Sequence, residues 1–288
     1  MSAAVSIVVA GGTSAEQGRF AKALQRDTMP SSEIEILVGA PGPTAAQGWN
    51  EAVRRAGAPI LILTRPDFVP SPDFARSLLA IIRDSGDVIA TGRVSREAGG
   101  STLTRYAADQ WEHDRLAHFP TARVPLLAAA GAPLAGGRDR FLAMAGFAPS
   151  LDWGAEVDLV VRLSEAGARL RRTDETIGTR PAFRSDGELL AQAESDGRGS
   201  ARLYRHCAAT LPHMELGSYC AAGPDAVRLR NGLLAAGVPP WLLASLPVPL
   251  SGAARQRWAR FVVGYAFWRG VWRELTDRDT RARCSIHR

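Results

Sequence analysis

Four short apolar runs, each parted from the next by one stretch of helical periodicity, constrain this chain more than any other feature. Ser6 to Ala10 is a run rich in β-branched residues. Thr13 and Glu16 then have capping-box spacing, and Phe20, Ala23 and Leu24 share one helical face. Ile34, Ile36, Leu37 and Val38 mark a second strand. Thr44 opens a helix through Ala56, which Gly57 stops. Ile60 to Leu63 is wholly apolar, as expected of a central strand covered on both faces. Ser71 and Pro72 start a helix that runs towards Arg83, and Asp87 to Val94 is the next strand. Single helices between strands predict right-handed βαβ units and a mostly parallel sheet. Ligands of such sheets sit beyond the carboxyl ends of the strands, so the loops after Val9, Val38 and Leu63 are the first candidates for chemistry.

The second half is less regular. Residues 97–122 are polar and aromatic, with Tyr106, Trp111, His113 and His118. Pro125 to Gly137 is apolar and small, and Arg138 to Ala145 has the look of a short helix. Gly154 to Ala166 is a strongly amphipathic helix, followed by a strand over Arg169 to Thr176. Beyond about residue 220, Pro224, Pro239, Pro240, Pro247 and Pro249 punctuate short apolar helices, and Arg255 to Leu275 reads as one helix. The expected organisation is a sheet domain over residues 1–220 and a helical C-terminal extension over 221–288.

With 288 residues, 46% hydrophobic and 22% charged, the chain has the composition of a globular protein rather than a disordered one. Cys207, Cys220 and Cys284 form neither a disulfide framework nor a CxxC zinc pair. The first twelve residues read as a strand rather than a signal peptide, and no apolar run is long enough to span a bilayer. The expected compartment is the cytoplasm. The formal net charge of +6 favours anionic partners. Lys22 is the only lysine among 35 basic residues, a skew that also fits a GC-rich genome, and no basic block predicts a nucleic-acid partner.

Two constellations stand where a parallel sheet would place chemistry. In the loop Leu63-Thr64-Arg65-Pro66-Asp67-Phe68, a carboxylate follows a strand's carboxyl end. Asp67 can hold a divalent cation and phosphate oxygens there, or simply form a turn. In Leu151-Asp152-Trp153-Gly154-Ala155-Glu156-Val157-Asp158, two carboxylates lie in the first turn of a helix. The helix dipole favours their ionised form, which suits a general base and equally suits ordinary dipole compensation.

The order of these pieces resembles family 2 glycosyltransferases. It covers roughly residues 4 to 185: a VSIVVA strand, a helix, EIEILVG, the segment GWNEAVRRAGAPILIL running into the acidic loop, the Gly-Arg segment AGAPLAGGRDRFLAMAGF, and GAEVDLVVRLSEAG. The resemblance implies a GT-A-like three-layer α/β sandwich and transfer of a sugar from a nucleotide-diphosphate donor, with inversion, to a glycan, lipid-linked or other hydroxyl acceptor. It makes Glu156 the catalytic base and Asp67 the last member of an aspartate-rich loop that holds Mg or Mn. Asn50, Arg65, Asp67, Arg138, Asp152, Trp153 and Asp158 become substrate contacts, with Asp152 and Trp153 on the acceptor side.

The chain departs from the family at several points. Arg65 or Pro66 stands where a second metal-binding carboxylate belongs, and Gly39-Ala40-Pro41-Gly42-Pro43 replaces the usual acidic loop after the second strand. The first strand ends in Ala10-Gly11-Gly12, and no Gln-x-x-Arg-Trp signature is present. A guanidinium at Arg65 can take over charge neutralisation from a metal. The losses also leave the alternative of a catalytically inactive GT-A-like binding or scaffold protein in a polysaccharide pathway. In the tail, Phe261, Tyr265, Trp268 and Trp272 fall on one helical stripe flanked by arginines. The stripe predicts peripheral contact of residues 255–275 with the inner face of a membrane, or packing against the catalytic domain or a second subunit.

Overall fold

The computed structural model describes residues 3–39, 44–83, 87–110, 126–214, 216, 224–246 and 251–275. The loop 40–43 and the residues Trp111, His113, His118, Cys220, Pro247, Pro249 and Cys284 lie outside them. Two compact units divide the chain: Met1–Ser95 with Pro120–Pro181, and Arg96–Phe119 with Ala182–Arg288. The expected boundary near residue 220 falls within the second unit.

The first unit follows the predicted alternation. β1 (Val5–Val9), α1 (Ser14–Leu24), β2 (Ile34–Val38), α2 (Ala45–Arg55), β3 (Ile60–Thr64), the two-residue β4 (Val69–Pro70), α3 (Phe74–Arg83) and β5 (Val88–Arg96) occur in that order. α1 begins with the capping box expected of Thr13 and Glu16. Beyond β5, β6 (Leu134–Gly137), α5 (Arg138–Ala143), α6 (Ala155–Glu165) and β7 (Arg169–Arg180) complete the unit. The seven strands form one sheet in the order β2-β1-β3-β6-β5-β7-β4.

β1 pairs in parallel with both β2 and β3, whereas β6 runs antiparallel between β3 and β5. This reversed strand was not legible in the sequence, because Leu-Ala-Gly-Gly carries no β-branched residue and only four positions. Its reversal has a positional effect. Leu134 lies opposite Leu63, so the loop that precedes β6 arrives at the carboxyl end of β3.

Strand alternation divides the core between two layers. Val5, Ile7, Val9, Ile62, Ala90, Ala135 and Ile177 point to the layer of α1 and α3, where they meet Phe20, Leu24, Phe74, Leu78 and Ile82. On the other face, Gly136 lies against Ile89 and Phe141 of α5, and Trp49 of α2 donates through Nε1 to the Thr64 carbonyl at 3.0 Å. The layers are those of a three-layer α/β sandwich, as the sequence predicts.

The second unit contains α4 (Thr102–Asp109), α7 (Asp186–His206), α8 (Pro224–Ala235), α9 (Pro240–Ala244) and α10 (Gly252–Glu274). Leu103, Tyr106 and Ala107 of α4 share a core with Leu189, Leu190 and Ala193 of α7 and with Ala259, Val262, Val263 and Ala266 of α10. α7 and α10 cross so closely that a Cβ on Gly197 would strike the Phe267 carbonyl, and one on Gly270 the Glu194 carbonyl. Glu194 accepts ion pairs from Arg269, at 2.8 Å, and from Arg273. Arg202 and Arg205 of α7 pair with Glu274 at 3.4 and 3.3 Å.

These contacts extend to the aromatic stripe. Tyr265 is 1% exposed and donates to the Val238 carbonyl at 2.6 Å, and Phe261 packs against the helical core. Trp268 is half-buried under the Arg230 guanidinium, 4.5 Å from its ring centroid. Phe261, Tyr265 and Trp268 of the stripe thus make contacts within the second unit. Among the described residues no helix is long and apolar enough to cross a membrane.

Candidate active site

The carboxyl ends of β1 and β3 lie side by side, and the loops leaving them touch. Gly11 and Gly12 turn the chain away from β1 with φ of 75° and 71°, a conformation open to glycine. A Cβ on Gly12 would collide with the Pro66 ring, so the two loops fit only without a side chain there. Along 65–68, exposure alternates: Pro66 and Phe68 are buried, and Arg65 and Asp67 are half-buried. Phe68 packs edge-on to Phe20 with centroids 5.4 Å apart, which anchors the loop. Arg65 and Asp67 are thereby held at the end of the sheet.

Glu156 enters this region from the first turn of α6 and is 6% exposed. Burial pushes its carboxyl above the ordinary carboxylate range. Arg65 and its own backbone amide oppose that shift, Asp67 adds to it, and Arg180 opposes it. Glu156, Arg65, Asp67 and Arg180 therefore form one electrostatic group, assembled from β3's loop, α6 and the end of β7. The structure brings together Glu156, Arg65 and Asp67, the three residues that sequence reasoning placed nearest the chemistry.

Arg180 was not foreseen. The predicted strand stopped at Thr176, four residues short of the observed end of β7. The signal was present in Thr176-Ile177-Gly178-Thr179-Arg180, where β-branched residues continue past the stop. Arg180 donates through Nε to Asp67 Oδ2 at 3.2 Å and through Nη2 to the Gly131 carbonyl. Gly131 belongs to the loop that β6's reversal delivers to this end of the sheet.

Three other candidates have contacts away from this group. Asn50 donates through Nδ2 to the Phe147 carbonyl at 2.8 Å and accepts from the Phe147 amide at 2.8 Å. Asp158 is buried and takes Arg162 through Nε at 3.0 Å and Nη2 at 2.8 Å, while Arg162 donates to the carbonyls of Met144 and Gly146. Both therefore clamp the 144–147 turn, where Ala145 has a φ of 57°. Arg138 starts α5, and its amide donates to the Pro59 carbonyl, just before β3. That is the opposite end of β3 from Arg65, so Arg138 does not join the group. Asp152 and Trp153 lie in the turn immediately before α6, exposed and half-buried respectively.

Among the described residues the protein alone offers no complete shell for a divalent cation. Among the described residues no three of His, Cys, Asp or Glu come together. Asp67, the expected metal ligand, has one oxygen on Arg180, and its Oδ1 is buried without a hydrogen-bond partner among the described residues. The flanking groups are cations, which repel another cation.

No protein-family model matches the sequence, and no curated protein does. Solved structures do match the fold. A mannosyltransferase from Pyrobaculum calidifontis, PcManGT, in complex with GDP-Man and Mn2+, aligns with a TM-score of 0.62 at 14% identity, over 96% of this chain and 88% of that one. TarS from S. aureus aligns with a TM-score of 0.47 at 9% identity, over 96% of this chain and 92% of that one. The first of these likenesses, with the layers and strand order above, identifies the fold as GT-A-like.

Proposed function

We propose that the chain is a glycosyltransferase that moves a sugar from a nucleotide-diphosphate donor to a hydroxyl acceptor, with inversion at the anomeric carbon. The observation that carries this reading is the burial of Glu156 at the start of α6, within one charged group with Arg65, Asp67 and Arg180. A carboxylate held out of water, with a raised proton affinity, is a stronger base than one in solution. The GT-A-like fold and a neighbour bound to GDP-Man support a nucleotide-sugar donor.

The chemistry is a single displacement. The acceptor oxygen forms a bond to the anomeric carbon and gives its proton to Glu156. The bond from that carbon to the diphosphate oxygen breaks, and its electron pair leaves with the nucleoside diphosphate. Arg65 neutralises charge that grows on the leaving group. Asp152 and Trp153 line the acceptor side, where an aromatic face stacks on a sugar. The acceptor class is a glycan or a lipid-linked sugar.

Turnover is measured by release of nucleoside diphosphate from UDP-, GDP- and dTDP-sugars, with thermal shift on the same panel reporting binding. Stabilisation by a nucleotide sugar together with turnover that Glu156→Gln lowers by about two to four powers of ten is the expected result. Binding without turnover at any acceptor selects the second reading, an inactive GT-A-like binding protein. That reading draws on the replacement of the metal-binding carboxylates by Arg65 and Pro66.

A further inference from the structure

We propose that this chain grips the diphosphate of its donor without a metal ion, between the guanidinium groups of Arg65 and Arg180, and that Asp67 positions Arg180 instead of ligating a cation. The inference rests on the glycosyltransferase reading and deepens it at the donor site.

Three features of the group carry it. Arg65 stands one residue beyond β3, half-buried, and its side chain has no hydrogen-bond or ion-pair partner among the described residues. A guanidinium partly withdrawn from water with its donors unused is poised for an anion with several acceptor oxygens. Arg180, by contrast, is fixed from two sides. Asp67 holds its Nε at 3.2 Å and the Gly131 carbonyl holds Nη2, which leaves Nη1 without a partner among the described residues. One arginine is thus pre-oriented and the other is open, and both lie within electrostatic reach of Glu156.

The third feature is the disposition of negative charge. Asp67 accepts Arg180 on Oδ2, which makes it a brace for the guanidinium, and among the described residues no three metal-ligating side chains come together around it. A cation drawn to its buried Oδ1 would have to stand beside the Arg180 guanidinium. A diphosphate meets the reverse situation: two positive groups, one braced and the other open to form paired hydrogen bonds. In the displacement, the oxygen that receives the electron pair from the broken anomeric bond lies on the phosphate those groups hold.

The test is calorimetric titration of the intact protein with GDP and with UDP, each in EDTA and in manganese. The accepting nucleotide should bind in EDTA within about threefold of its affinity in manganese. Arg65→Ala should weaken that binding by about tenfold or more, as loss of a charge-assisted hydrogen bond predicts, and manganese should not restore it. The corresponding nucleoside monophosphate should be affected far less. Arg65→Ala removes no contact that the fold uses, so it tests the idea even if Arg180→Ala fails to fold; Arg180→Lys, checked by circular dichroism, supplies the second arm. Binding that appears only with manganese, or wild-type affinity in Arg65→Ala, overturns the metal-free site while leaving the glycosyltransferase reading intact. Failure of either diphosphate or any sugar nucleotide to bind in both conditions overturns the reading beneath it as well.

Discussion

A carboxyl group in the first turn of a helix sits under opposing influences. The helix dipole and nearby guanidinium groups stabilise the ionised form, and removal from water destabilises it. At Glu156 burial wins, and the pKa is raised. Two outcomes follow for this residue. Glu156→Gln should lower turnover by about two to four powers of ten with donor affinity nearly unchanged, which steady-state kinetics and nucleotide titration separate. The second outcome concerns pH. Because the folded pKa lies above the unfolded one, the folded protein binds more protons between the two values. The stability that Glu156 contributes in its protonated form is present below the unfolded value and lost as pH rises through the folded value. Glu156→Gln should therefore melt higher than the wild type at pH 8 and show little gain at pH 4. The acidic limb of the wild-type rate profile should also lie above the usual carboxylate range, with Arg65 and Arg180 restraining the displacement and Asp67 extending it.

At the scale of elements, the sequence displayed what repeats and concealed what is improvised. The strands from Val5, Ile34 and Ile60 and the helices between them were legible because apolar periodicity and capping residues agree over whole segments. β6 was invisible because two of its four residues are glycine, and β7 appeared short because Gly178 interrupts the β-branched run near its end. The candidate site divides along the same line. Glu156 and Asp67 could be found from their places at a helix start and a strand end. Arg180 could not, since the contact that gives it meaning is with Asp67, 113 positions away. The sequence marks Asn50 and Asp158 as ligand contacts; in the structure Asn50 bonds the Phe147 backbone, and Asp158 holds Arg162, which bonds the carbonyls of Met144 and Gly146. Asn50→Ala removes two hydrogen bonds to the Phe147 backbone. It should cost about 2 kcal/mol in denaturant unfolding, and nucleotide affinity measured on the folded fraction should survive. In the second unit, Gly270→Ala would force a methyl group into the Glu194 carbonyl. A loss of about 2 kcal/mol or more is expected, read from the same unfolding curves.

For the whole molecule, the helical tail is a wall of the second core rather than an appendage. α10 supplies Ala259, Val262, Val263 and Ala266 to the cluster that α4 and α7 build. A chain ending after residue 250 should consequently expose Leu189, Leu190 and Ala193, bind a hydrophobic dye and aggregate, as size-exclusion chromatography would register. The reversed strand β6 has a consequence of another kind, one of timing. β3 and β5 are separated in the sheet by a strand that follows both of them along the chain, so neither can find its final neighbour until that later segment arrives. Contacts between distant parts of a chain form slowly, and the Gly131 loop and Arg180 take their places only after this insertion. On refolding from denaturant, helical signal should return first and the capacity to hold a nucleotide last, with an interval between them set by one four-residue strand.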